Sequence, residues 1–138
     1  MPFTIDGNVV TKYVPDYTSG KDGDEVVIVV PDGVEVIGAN AFSISSNWGR
    51  KITITLPETV TRIEKEAFAF ISATYNLPSS LKYIGSGAFV DAAFITIHFN
   101  GTLKEWEAID KNGENWRSAV DSYEIFCTDG DIKRYGLT

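Results

Sequence analysis

The chain has 138 residues, 43% of them apolar and 12% aromatic, enough for one domain with a real core. Its formal charge of −7 argues against a broad contact with a nucleic-acid backbone, which needs clustered Lys and Arg. The single cysteine, Cys127, excludes an internal disulfide and a cysteine-rich zinc site, and no apolar run approaches the ~18 residues of a membrane-inserted helix.

The first residues, Met1-Pro2-Phe3-Thr4-Ile5, read as a strand rather than a signal peptide. Phe3 to Ile5 and Val9 to Tyr13 alternate around Asp6-Gly7-Asn8, which predicts a hairpin covering the apolar end of the first coil. Val14 to Glu25, rich in Pro, Gly and Asp, reads as a loop.

A repeat then begins. Ile37-Gly38-Ala39-Asn40-Ala41-Phe42 recurs as Ile63-Glu64-Lys65-Glu66-Ala67-Phe68 and as Ile84-Gly85-Ser86-Gly87-Ala88-Phe89. Pro31, Pro57 and Pro78 stand ahead of the three copies, in steps of 26 and 21 residues. Self-similarity at this period predicts a stacked solenoid, β-rich with short helical turns. Such a fold makes a long surface more readily than a catalytic pocket.

Aligning the prolines aligns the strands. Val26, Ile28 and Val30 match Ile52, Ile54 and Leu56, then Ala73, Tyr75 and Leu77, then Ile95, Ile97 and Phe99. Period-two alternation points these sets into the coil. Phe42, Phe68 and Phe89 should stack into a spine, and the alanine before each suits close approach of neighbouring coils. The Ile-x-x-x-Ala-Phe segment fits either a short helical turn or a short strand with a bend.

The fourth unit departs from the pattern. Asn100 stands in place of the proline and Trp106 in place of the isoleucine. Gly101 to Ile109 reads as a turn into a short helix with Thr102 as N-cap and Leu103, Trp106 and Ile109 on one face. Trp106 and Trp116 suggest packing over the last coil, and Tyr123, Ile125 and Cys127 a final strand turning at Asp129-Gly130-Asp131. The chain divides into residues 1–25 as hairpin cap and loop, 26–94 as repeats, and 95–138 as terminal repeat and cap.

The repeated wording Ile-x-Leu-Pro-x-x-Val-x-x-Ile-x-x-x-Ala-Phe, here Ile54 to Phe68, resembles the BspA-like leucine-rich repeats. The Asn100-Gly101-Thr102…Trp106 segment and the Cys127-Thr128-Asp129-Gly130-Asp131 ending are also similar to that family. The resemblance implies a right-handed leucine-rich-repeat solenoid with one curved parallel sheet. It further implies display at the cell surface or outside the cell, and adhesion to host or matrix proteins.

Catalytic chemistry finds little support. The one histidine, His98, alternates outward with no base or metal ligand placeable beside it, and Cys127 alternates inward as a small hydrophobe. Glu64/Glu66, Glu105/Glu107, Asp22/Asp24 and Asp129/Asp131 read as solvated faces or turns; a calcium loop needs more oxygen ligands on a longer pattern. No cofactor or metal is expected.

Binding surfaces are more promising. One outward row holds Val27, Thr53, Thr74, Thr96 and Glu124; the other holds Val29, Thr55, Asn76, His98 and Phe126. Thr, Asn and His offer hydrogen bonds at low entropic cost, although Thr is also simply a good strand residue. A second candidate is the insertion Ser43–Lys51. Nine residues separate Phe42 from Ile52 there, against four between Phe68 and Ala73, and it carries Trp48 and Arg50, types enriched in binding hot spots. The plainer reading is that Trp48 folds back over the coil edge. The expectation is a non-catalytic module binding a protein partner, with a glycan as another ligand; the alternative is a spacer or self-assembling unit.

Overall fold

A computed structural model describes residues 3–14, 25–42, 51–113, 115–117 and 120–135. In chain order the elements are β1 (Phe3–Asp6), β2 (Val9–Tyr13), β3 (Glu25–Val29), β4 (Val36–Ile37), β5 (Lys51–Thr55), β6 (Arg62–Ile63), β7 (Thr74–Pro78), β8 (Tyr83–Ile84) and β9 (Phe94–Asn100). They continue with α1 (Leu103–Ala108), a 3-10 turn at Asn115–Arg117, β10 (Ser122–Cys127) and β11 (Gly130–Arg134). They build a β-solenoid of about four turns.

The long strands β3, β5, β7, β9 and β10 pair in parallel, in chain order, and β11 closes the sheet antiparallel. Their register is the one the alternation predicts. Ile28, Ile54, Tyr75, Ile97 and Ile125 stand opposite one another and are all buried. β-Branched residues pack well on a pleated, half-buried surface, which is why these segments extend. The fully buried Tyr75 hydroxyl donates to the carbonyl of Ile71 at 2.9 Å, so its polar end is satisfied inside the core. Burial alone pushes its phenol well above the usual range.

Each long strand ends at a corner. The carbonyls of Pro31, Pro57 and Pro78 accept from the amides of Val34, Val60 and Leu81 at 3.4, 3.1 and 3.2 Å. Proline is the first residue of each turn and sits at the strand end or just past it, where a missing N–H costs the ladder least. Hydroxyls clasp successive corners: Thr59 donates to the carbonyl of Val34 at 2.6 Å, and Ser80 to that of Val60 at 2.7 Å.

The Ile-x-x-x-Ala-Phe segment resolves into a two-residue strand and a turn. β4, β6 and β8 form a second parallel ladder that begins at the hairpin β1–β2, so the solenoid has two parallel sheets where the family resemblance implied one. After each short strand the carbonyls of Gly38, Glu64 and Gly85 accept from Ala41, Ala67 and Ala88. The third residue of each turn, Asn40, Glu66 or Gly87, has φ of 59°, 55° or 64°, as a type II turn requires. The turns then hydrogen-bond from coil to coil, Phe42 to Ala67 and Phe68 to Ala88, both at 2.8 Å. Gly85 is fixed by that contact, because a Cβ there would lie 2.5 Å from the Lys65 amide nitrogen.

The spine forms. Phe42 and Phe68 are 4.9 Å apart, and Phe68 and Phe89 are stacked at 5.6 Å. The hairpin covers one end, with Tyr13 stacked on Phe42 at 5.0 Å. Trp116 covers the other, 6.1 Å from Phe89, with Trp106 against it at 5.6 Å. In the fourth coil α1 replaces the short strand. Thr102 caps it in a reciprocal box: its hydroxyl accepts from the Glu105 amide at 3.1 Å, and the Glu105 carboxylate accepts from the Thr102 amide at 3.0 Å.

Candidate functional site

The outward rows form in the register the alternation predicts. Val27, Thr53, Thr74, Thr96 and Glu124 are successive partners across the long sheet, as are Val29, Thr55, Asn76, His98 and Phe126. In a parallel sheet, like positions recur every ~4.8 Å, so each row is a line of side chains crossing the strands. Val27 and Val29 are each 60% exposed.

The second row has internal structure. Asn76 Nδ2 donates to Thr55 Oγ1 at 2.9 Å, which fixes the amide and leaves its oxygen for an incoming donor. The rings of His98 and Phe126 stack at 5.2 Å and 19°. Lys133 Nζ lies 5.6 Å from the centre of the Phe126 ring. At the end of the other row, Tyr135 donates to Glu124; that hydrogen bond, followed by burial and the carboxylate charge, raises the Tyr135 phenol above its usual value.

Four members of this row, Thr55, Asn76, His98 and Phe126, line one cleft of about 410 Å³ at the ends of the long strands. Corner residues supply the rest of its wall. Leu56, Leu77, Pro78 and Phe99 are apolar, while Glu58, Asn100 and Thr128 are polar. Reading the row alone misses these, and the shared proline alignment is the signal that could have brought Glu58 and Pro78 to the same end.

Cys127 also lines the cleft. It packs against the core, as its inward alternation predicts, but it is half-buried at the end of β10 rather than enclosed. Burial, followed by the charges of Asp129 and Asp131, raises its thiol, which disfavours the nucleophilic thiolate. His98 is exposed on its strand. Among the described residues, no group of three or more His, Cys, Asp or Glu could hold a metal ion, and no helix is long and apolar enough to cross a membrane.

Thr53, Thr74 and Thr96 are half-buried on the sheet face and lie outside the cleft lining. Trp48 and Arg50, the hot-spot types of the Ser43–Lys51 insertion, lie outside the described residues.

A family model, the BspA type leucine rich repeat region, matches residues 25–108 in 6 copies. The chain belongs to this family. BspA type repeats form a module often used in protein–protein interaction, on a fold that is typically non-catalytic. The matched BspA type region contains β3 to α1, and so most of the long ladder and four of the five strands that carry the outward rows. Comparison with curated proteins and with solved structures finds no match.

Proposed function

We propose that this BspA type repeat is a non-catalytic binding module that docks a partner protein on the outer face of its long sheet. The observation that carries the reading is the cleft joining Thr55, Asn76, His98 and Phe126. It gathers an oriented amide, a hydroxyl and an aromatic pair on a rigid ladder, the kind of preorganised surface that binds at low entropic cost. Members of the family are often found at the cell surface or outside the cell, which makes host or matrix proteins the first partners to test, in an adhesive role.

The test is an array of purified matrix proteins and glycans, probed with the wild type, with Thr55→Ala/Asn76→Ala/His98→Ala, and with Trp48→Ala. A protein bound by the wild type and lost in the triple variant supports the sheet face. Loss in Trp48→Ala alone moves the site to the insertion, and glycan binding alone changes the class of partner.

One feature favours a second reading, self-assembly. Among the described residues no strand pairs with the outer edge of β3, and that edge carries the exposed Val27 and Val29. A mass that rises with concentration in light scattering would support it, and a monomer throughout would exclude it.

A further inference from the structure

The cleft has a length and an electrostatic character that narrow what it takes. Its row members come from β5, β7, β9 and β10, three inter-strand steps, so it runs ~14 Å across the sheet. An extended peptide rises ~3.3 Å per residue, so about four or five residues span it.

Among the described residues, Glu58 is the one carboxylate in the lining, exposed at the β5 end, and no Lys or Arg lines the cleft. At the β10 end the wall is the Phe126–His98 pair. Asp129 and Asp131 lie near enough to Cys127 to act on its thiol, and Lys133 over the Phe126 ring offsets part of their charge. Asp129 and Asp131 lie outside the lining, so the carboxylate that the cleft itself presents is Glu58.

We propose that the cleft seats a short extended peptide segment with a basic side chain on Glu58 and an apolar side chain on the Phe126–His98 pair. This rests on the sheet-face reading and gives the partner its chemistry. Asn76 and Asn100, between the two ends, supply the amides that an extended peptide backbone pairs with.

The probes are fluorescent five-residue peptides with Arg at one end, Leu at the other and Ser between, in both chain directions. Matched peptides carry citrulline or Glu in place of Arg. Polarisation at low salt should rank Arg above citrulline by about threefold, the size of a rim charge pair, and Glu last. Glu58→Gln, an exposed isosteric change that leaves the fold untouched, should abolish the Arg preference. Phe126→Ala, folded by circular dichroism, should weaken Arg and citrulline peptides alike by about tenfold.

Equal binding of Arg and citrulline peptides, an Arg preference that survives Glu58→Gln, or no binding into the millimolar range would each overturn the proposal. A matrix protein lost by the Thr55/Asn76/His98 triple variant but unmoved by Glu58→Gln would leave the sheet-face reading standing and remove this one.

Discussion

Phe68 and Phe70 are two residues apart and should behave oppositely. Phe68 is fully buried, with Phe42 at 4.9 Å, Tyr75 at 5.0 Å and Phe89 at 5.6 Å around its ring. Truncation to alanine removes about 150 Å² of buried apolar surface, worth about 4 kcal/mol at 25 cal/mol/Å². Three lost ring contacts and the cavity keep the total in the upper part of the ~3–5 kcal/mol range for Phe→Ala. Phe70 is 46% exposed and sits at φ 71°, a left-handed backbone that costs a bulky side chain about 1–2 kcal/mol. Phe70→Asn should therefore be neutral or stabilise by about 0.5–1 kcal/mol. Urea unfolding followed by tryptophan fluorescence separates the two cases. With a slope of about 1.5 kcal/mol/M, Phe68→Ala lowers the midpoint by about 2.5–3 M, and Phe70→Asn holds or raises it. Losses of similar size for Phe68→Ala and Phe70→Asn, or less than about 1.5 kcal/mol for Phe68→Ala, would refute the spine as the main apolar support of the stack.

Gly85→Ala should cost about 1–3 kcal/mol in the same assay, because its Cβ meets the backbone of Lys65, which cannot swing aside as a flexible side chain would. Thr102→Ala should cost about 1 kcal/mol by removing the hydroxyl that caps α1, with Thr102→Ser restoring most of it. Thermal stability should begin to fall near pH 9, where the unfolded chain releases the Cys127 proton, and fall more steeply above about 10. The folded state keeps the Tyr75 proton at pH values where the unfolded chain has released it, so each further unit costs up to about 1.4 kcal/mol. Cys127 and Tyr135 are shifted the same way and add to the fall. Tyr75→Phe should remove the largest part of the slope, and an unchanged alkaline limb in that variant would show that Tyr75 is not its source.

The long ladder was readable because its signal is strong in each copy. Five strands of alternating β-branched and polar residues, punctuated by proline, leave one register that buries Ile28, Ile54, Tyr75, Ile97 and Ile125 together. The short ladder was harder. Two residues carry no periodicity, and the choice between helical turn and bend rests on the positive φ after them. Gly87 advertises that backbone and Asn40 hints at it, but Glu66 hides it, since an acidic residue there looks like ordinary surface. β11 was missed for a related reason: Gly130 to Arg134 is mostly charged and reads as the tail of a turn, yet pairing with β10 extends it. Of the candidate site, the row Thr55–Asn76–His98–Phe126 was legible and its enclosure was not. The rest of the lining, Glu58, Pro78, Asn100 and Thr128 among it, comes from the corners at the strand ends, which side-chain alternation does not place. The alternative contact, the Ser43–Lys51 insertion with Trp48 and Arg50, lies for the most part outside the described residues.

Each coil of this chain hydrogen-bonds to the level before it and the level after it. Among the described residues no sheet pairing skips a level. The Pro57-to-Pro78 step therefore behaves as an interchangeable segment. Its removal would join β5 directly to the corner at Pro78, preserve the phase of both ladders, and shorten the outer face of the long sheet by one increment of ~4.8 Å. A gene that gains or loses such a segment changes the reach of the surface without redesigning its core. In this architecture, the length of the exposed face can drift in evolution by whole rungs while the fold stays the same.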